Sequence, residues 1–323
     1  MKYCRLKSTS PYLNLAIEEY MFENSQDDVF ILWQNEPTVV IGKNQNAFAE
    51  INMDYLRENG IKIARRITGG GAVFHDLGNV NYTYISKSRD GINFEYYSRP
   101  IIEALADMGV FVHLSGRNDL LTEDGRKISG SAEYTQNGRT LHHGTLLFDA
   151  HLETLSSVLN VDPEKLRANA VKSTRSRVAN IKEYIEDDID HIEFIERLEQ
   201  GIIKRFSPTV IDIPECEEIN RLYKRNSSDE WLFPERDFLS KYNIINRKKF
   251  DFGLVELNIS LKNGIICDFA IKGDFFELSD VSALEKKFIS RNISDIADVL
   301  KENSVSKYIL GMTDNEFIEL IKK

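Results

Sequence analysis

The run Arg65-Arg66-Ile67-Thr68-Gly69-Gly70-Gly71-Ala72-Val73-Phe74-His75-Asp76 restricts the fold more than any other stretch of the chain. Three consecutive glycines stop a helix or strand that enters them, because a residue without Cβ loses the most backbone freedom on ordering and adopts φ > 0 readily. The chain must therefore turn here, between a segment that carries two cations and an apolar segment that ends in His-Asp. Successive backbone N–H groups in such a turn converge on an anion, and arginines add forked donors suited to phosphate or carboxylate. Against this stands the plainer reading: glycine pairs usually mark turns only, and paired arginines usually sit on a solvated face. The run is not a P-loop, since no Gly-Lys-Ser/Thr follows. Nor is it a dinucleotide fingerprint, since the G-x-G-x-x-G spacing is absent and the next segment reads as strand.

At 323 residues, with 42% hydrophobic and 28% charged residues, the chain has the length and composition of a two-domain globular protein. It has no apolar run of bilayer length and no signal core after Met1, so no membrane role and a cytoplasmic location are expected. A formal charge of −10 argues against general nucleic-acid binding. It still allows a small basic pocket from Lys62, Arg65, Arg66, Arg126 and Lys127. Cys4, Cys216 and Cys267 lie far apart with no ligand spacing and read as reduced thiols.

Periodicity places a helix from Pro11, capped by Ser10. Strands are expected at Val29–Trp33, Thr38–Gly42, Ile61–Ile67 and Val80–Ile85. Met53–Glu58 and Tyr96–Met108 read as helices. Asn118–Thr122, Lys127–Glu133 and His142–Phe148 read as strands around turns at Asp124-Gly125 and Asn137-Gly138. Two more helices are expected, Leu152–Leu159 and Ile189–Phe206. Residues from about 207 to 247 form a linker candidate in which Trp231, Leu232, Phe233 and Pro234 can pack on the larger domain. From Lys248 a small unit is expected. It comprises an alternating strand Val255–Leu261, a hairpin at Asn263-Gly264, a return strand Ile265–Ile271, and helices Ala283–Ile289, Asp295–Leu300 (capped by Ser294) and one from Thr313 with a Glu316 capping box. This pattern predicts an α+β protein with a mixed or antiparallel sheet, residues 1–246 as the main domain and 247–323 as the small α+β one.

Three further segments carry chemistry: Arg117-Asn118-Asp119-Leu120, Arg126-Lys127-Ile128-Ser129-Gly130-Ser131-Ala132 and His142-His143-Gly144-Thr145-Leu146-Leu147. Each is weak alone. Adjacent strand histidines face opposite ways and cannot ligate one metal as a pair, and zinc is disfavoured for want of cysteine or carboxylate at helpful spacing. Asn118-Asp119 usually marks a turn or cap, although its oxygens suit Mg²⁺. Gly-Ser-Ala is not the G-x-S-x-G nucleophile elbow. In this order with the opening run, however, the segments closely resemble the lipoate–protein ligase A family. Ser173 to Asn180, Leu32 to Asn35, Val39 to Gly42, Phe250 to Gly253 and Gly273 to Phe276 extend the likeness over essentially the whole chain. The main departure falls at Tyr223–Asn246, where only Glu230-Trp231 is recognisable.

The resemblance implies the sheet of the biotin/lipoate ligase type with a C-terminal accessory domain, and a two-step acylation. Lipoate would attack the α-phosphate of ATP to give lipoyl-AMP and pyrophosphate. A lysine of a carrier, an apo lipoyl domain of a 2-oxoacid dehydrogenase E2 subunit or the glycine cleavage H protein, would then take the lipoyl group. Lys127 matches the family's essential lysine and would neutralise the facing carboxylate and phosphate. Arg66, Thr68, Gly69, Gly70, Gly71, Val73, Phe74, His75 and Asn79 match the lipoyl-AMP-binding wall, and His143 and Thr145 the acyl-adenylate pocket. For His143, a strand histidine satisfied by neighbours is an equal reading. Asn118 and Asp119 would orient phosphate or Mg²⁺. Arg175 and Arg177 would lie on a loop over the adenylate. Octanoate is an alternative acid, and a monomer the default. Two other readings remain: an octanoyl or lipoyl acyltransferase of the same fold, which needs a pocket cysteine, and a catalytically silent lipoate-binding protein.

Overall fold

The computed structural model describes residues 1–88, 92–116, 118–160 and 178–322. Arg117, Arg175 and Arg177 lie outside them. The strands are β1 (Lys2–Arg5), β2 (Val29–Trp33), β3 (Thr38–Ile41), β4 (Lys62–Arg65), β5 (Val73–His75), β6 (Asn79–Lys87), β7 (Val112–Ser115), β8 (Asp119–Thr122), β9 (Lys127–Gln136), β10 (Arg139–Leu147), β11 (Thr209–Val210), β12 (Ile244–Phe250), β13 (Gly253–Lys262) and β14 (Ile265–Gly273). Eight form a mixed sheet ordered β11-β1-β2-β6-β10-β9-β8-β7. The strands β4-β3-β5 form a small second sheet and β12-β13-β14 a third. The β1–β2, β1–β11 and β3–β4 pairs are parallel and the other pairs antiparallel, which gives the expected α+β class.

The large sheet is covered on both faces, and β2 shows why. Its continuous run Val-Phe-Ile-Leu-Trp is buried throughout, and period-2 alternation divides it. Phe30 and Leu32 join Tyr82, Ile101 and Leu198 under helices Phe94–Ala106 and His191–Phe206. Val29, Ile31 and Trp33 join Leu15, Phe22 and Leu222 under helices Pro11–Asn24 and Glu217–Asn226. Each fully buried aromatic or aliphatic side chain there stabilises the fold by roughly 1.5–3 kcal/mol. The small sheet has its own core with Leu56 and Val158, and β12 to β14 pack on Leu284, Phe288 and Phe317.

Turn chemistry is legible where it should be. Asn137-Gly138 and Asn263-Gly264 both take positive φ at both residues and close the β9–β10 and β13–β14 hairpins. Thr313 and Glu316 complete the capping box of helix Asp314–Ile321. Two expected caps differ. The Ser10 side chain makes no capping bond to helix Pro11–Asn24, and its own N–H instead donates to Ser8 Oγ at 3.0 Å. Ser294 lies within a short 3₁₀ turn capped by Asn292, and helix Ile296–Glu302 starts after Asp295. The strand expected over Ile61–Ile67 ends at Arg65, because the Arg66 side chain turns inward to bond Thr68 Oγ1 and nearby carbonyls. The linker candidate contains three helices, Glu217–Asn226, Asp229–Leu232 and Phe238–Lys241. It is docked as Trp231 and Phe233 suggested. Trp231 Nε1 donates to the Arg65 carbonyl at 3.0 Å, and the Phe233 ring lies 5.4 Å from that of Phe48.

Candidate active site

Two cavities meet at the C-terminal side of the Gly run. The smaller, about 160 Å³, is walled by Leu15, Trp33, Val40, Arg66, His75 and His143 among others. The larger, about 420 Å³, is walled mainly by Phe74, Leu121, Leu147, Leu152, Leu155 and Val178. Ala72, Val73, Lys127, Gly130 and Thr145 border both. Strand β5 therefore sorts its side chains between them: His75 borders the smaller, Phe74 the larger, and Val73 their shared mouth.

Lys127 stands at that junction because β9 begins there. The β8–β9 register slips between Leu120 and Leu121, a bulge that re-aims side chains. From the other side, Ala179 N–H donates to the Lys127 carbonyl at 3.0 Å, within a bridge to Val178. The ammonium pairs with Asp119 Oδ1 at 2.7 Å, with both side chains about one-third exposed. Gly130 clears its path, since a Cβ there would sit 2.9 Å from Lys127 Nζ.

The two arginines and two of the three glycines make extensive contacts within the chain. Arg65 is buried and donates to the carbonyls of Lys43, Gln45, Trp231 and Leu232 and to both oxygens of Glu235, itself paired with Lys272 at 3.3 Å. Arg66 commits four of its five N–H groups to Thr68 Oγ1 and to the carbonyls of Val40, Gly69 and Gly71. Burial pushes its guanidinium down to about 10. At Gly69 a Cβ would lie 2.5 Å from the Phe275 carbonyl, and Gly70, with φ +91°, donates its N–H to that same carbonyl at 3.0 Å. Only Gly71 has open space beside it. The chain's own C-terminal segment thus packs on Gly69 and Gly70, while Arg66, Gly70 and Gly71 still border the smaller cavity, whose wall the Phe276 ring joins.

Thr68 and Asn79 border neither cavity. Thr68 bridges Arg66 to His143 Nε2 at 2.9 Å, and Asn79 Nδ2 donates to Asn81 Oδ1 at 2.9 Å. His143 lines the smaller cavity with both ring nitrogens engaged, Nδ1 to Glu18 at 2.9 Å and Nε2 to Thr68. Thr68 Oγ1 also accepts from Arg66 Nε, so Arg66, Thr68, His143 and Glu18 form one continuous chain of hydrogen bonds. His142 faces away, buried against Glu133 and Tyr82. His75 is buried, and desolvation, reinforced by Arg66 and His143, pushes it down to about 3. Thr145 Oγ1 accepts from Gly130 N–H at 3.3 Å. Asn118 borders the smaller cavity and Asp119 the larger. Among the described residues no three His, Cys, Asp or Glu side chains gather as a metal site. Asn118 and Asp119 could offer only side-chain oxygens beside a phosphate-bearing ligand, the arrangement Mg²⁺ favours.

Sequence reading missed several contributors. Glu18, buried in helix Pro11–Asn24, anchors both His143 and Thr83. Polar residues on the buried side of this helix, Asn14, Glu18 and Glu19, were the available signal. Asn14 and Asn35 support His75. His151 borders the larger cavity with Nδ1 on Asp76 at 2.8 Å, a bond that raises its pKa. No cysteine borders either cavity among the described residues. Cys4 is in the core, where desolvation pushes its thiol up to about 12.

Residues 10–203 match the lipoyl protein ligase A/B catalytic domain, and residues 240–321 the bacterial lipoate protein ligase C-terminus. The chain is 39% identical over 326 residues to the lipoate-protein ligase LplJ of Bacillus subtilis (strain 168), with 96% of each covered. Its structure resembles that of P. falciparum LipL1 in complex with lipoate, with a TM-score of 0.81 at 25% identity over 99% of this chain and 97% of that one. It also resembles a lipoate-protein ligase A bound with ATP, with a TM-score of 0.60 at 26% identity over 72% of this chain and 98% of that one. Among the described residues no helix is long and apolar enough to cross a membrane.

Proposed function

The chain belongs to the lipoate–protein ligase family, and on that premise we propose that it activates lipoate with ATP to lipoyl-AMP and passes the lipoyl group to one lysine of a carrier lipoyl domain. The observation that carries this reading is the position of the Lys127 ammonium on the wall shared by two cavities. An attacking carboxylate and an α-phosphate repel each other, and a fixed cation between them lowers that cost most as charge builds in the transition state. The smaller cavity takes the acyl chain, with its carboxylate at the Lys127 end. The larger takes the nucleotide, its base against Phe74, Leu121 and Leu152. That one structural relative is a complex with lipoate and another is bound with ATP supports a place for each of the two ligands.

In the first step a lipoate oxygen bonds to the α-phosphorus and pyrophosphate leaves. In the second the carrier amine bonds to the acyl carbon, the anhydride C–O bond breaks and AMP departs. Lys127 stabilises the phosphate charge in both. Where Mg²⁺ accompanies ATP, Asn118 and Asp119 would hold it, and it supplies further neutralisation of phosphate charge. Thr145, Val73 and Gly71 shape the junction. A thioester mechanism would need a thiolate, and the buried, high-pKa Cys4 thiol disfavours it.

The test is to incubate the protein with Mg-ATP, lipoate and an apo lipoyl domain and to weigh the carrier. An ATP-dependent lipoyl adduct on a single lysine is expected, and Lys127→Ala should lose ATP–pyrophosphate exchange while keeping its circular dichroism. Acyl transfer from a carrier thioester without ATP would make the chain an acyltransferase. Tight lipoate binding with no chemistry would make it a silent binder.

A further inference from the structure

We propose that His151 reads the base of the nucleotide, its ring Nε2 accepting a hydrogen bond from the 6-amino group of a purine. This rests on the assignment of the larger cavity to the nucleotide. Among the described residues, the polar side chains on that wall are Asp119, Lys127, Thr145 and His151. Lys127 and Thr145 also border the smaller cavity, and Asp119 pairs with Lys127, so these three mark the phosphate end. His151 borders the larger cavity alone. It immediately precedes helix Leu152–Val158, whose Leu152 and Leu155 line the wall, and its ring is tied to Asp76, two residues beyond Phe74. It therefore stands with the apolar side chains against which the base is placed. A few polar groups on an otherwise apolar wall are what orient a ligand.

The ring is held so that one nitrogen is left over. Asp76 Oδ2 accepts from the His151 backbone N–H at 2.9 Å and lies 2.8 Å from Nδ1, while Oδ1 accepts from the Gly78 N–H at 2.9 Å. A carboxylate only accepts, so Nδ1 carries a hydrogen in the neutral and in the charged ring. Nε2 has no partner among the described residues, and its side chain is 75% exposed, so a ligand in the cavity can reach it. In the neutral ring Nε2 is an acceptor, and in the charged ring a donor. The 6-amino group of adenine is a donor and fits the neutral ring only. The bond to Asp76 raises the pKa of the ring above its ordinary 6.5, and the charges of Glu153 and Asp149 add to this. The nearby cation, Lys182, is paired with Asp149 at 3.2 Å. Nε2 thus changes from donor to acceptor as pH rises through a value above 6.5.

The test compares ATP with purine riboside triphosphate, which lacks the 6-amino group, by kcat/KM for lipoate-dependent nucleotide–pyrophosphate exchange from about pH 6 to about pH 9. Titration of the phosphates and of Lys127 affects both nucleotides alike and cancels in their ratio. A hydrogen bond of this kind is worth roughly two- to tenfold, so the parent's preference for ATP should rise by about threefold or more across the range and level off above the pKa of the ring. In His151→Phe, which keeps a ring but has no Nε2, the ratio should be level with pH. A level ratio in the parent with exchange intact, a measurement that needs no variant, overturns the inference and leaves the ligase reading in place. A rise of the parent's size in His151→Phe also overturns it. Exchange with neither nucleotide at any pH would remove the activation reading itself, and this inference with it.

Discussion

Gly130→Ala tests the placement of Lys127 while keeping its ammonium, with the added methyl on the wall that both cavities share. An added Cβ would lie 2.9 Å from Lys127 Nζ and 3.1 Å from Cε, where ordinary contact begins at 3.4 Å. The atoms in its way are the far end of a flexible side chain, so the ammonium moves and the strand does not. It must retreat by about half an ångström from the new methyl. The backbone at Gly130 is not in the left-handed region, so alanine is compatible there and stiffens the unfolded chain by roughly 0.4–1 kcal/mol. Misplacing a reacting group by 1 Å costs on the order of a hundredfold, and half that displacement should cost about tenfold. The expected signature is thus lipoate-dependent ATP–pyrophosphate exchange reduced about tenfold with the melting temperature level or slightly raised. Exchange within twofold of the parent would show that the ammonium need not stand where β9 puts it, and the argument from the shared wall would fall with it.

Two further outcomes are open to direct measurement. His75 and His142 are both held below the ordinary imidazole value by burial, His75 at about 3. Their unfolded forms take up protons near pH 6.5 more readily than the folded forms, so both rings lower stability as pH drops below about 6.5, the His75 contribution running toward pH 3 at up to roughly 1.4 kcal/mol per unit. Urea unfolding at several pH values should show that slope, and His75→Phe should be less steep; equal slopes would refute it. His151 contributes the opposite sense, stability present below its unfolded value and lost as pH rises, but its side chain is 75% exposed and the effect is small. Glu235→Ala strands the buried Arg65 and Lys272 charges, so it should destabilise the protein by about 3–5 kcal/mol in urea unfolding, and a change under 1 kcal/mol would contradict the buried-pair account.

The fold was legible wherever the determinants are local. Alternation in β13, the Asn-Gly hairpins and the Thr313 capping box each depend on a few neighbouring residues, and each is present. Lys127, Val73 and His143 are marked in the sequence by motif order, and all three border the smaller cavity. What failed was partnership across the chain. Nothing near Gly69 in sequence announces that its neighbour is the carbonyl of Phe275. Nothing near Arg65 announces that Glu235 will neutralise it, so a buried structural arginine looked like an anion ligand. The caps at Ser10 and Ser294 failed for a smaller reason: other polar side chains nearby, Ser8 and Asn292, compete for the same backbone groups.

The contact between Gly69-Gly70 and Phe275 changes how the triplet's mutants should be interpreted. Two of the three glycines answer to the chain's own tail, through a carbonyl that leaves no room for a Cβ at residue 69 and a hydrogen bond at residue 70. In a saturation scan, damage at 69 would report a broken joint between distant parts of the polypeptide, and damage at 70, which also borders the smaller cavity, would combine that with crowding of the substrate. Damage at 71 would report crowding of the substrate. Three adjacent codons that look interchangeable would thus record two unrelated failures, pure at 69 and 71 and mixed at 70, separable by whether excess substrate restores the rate.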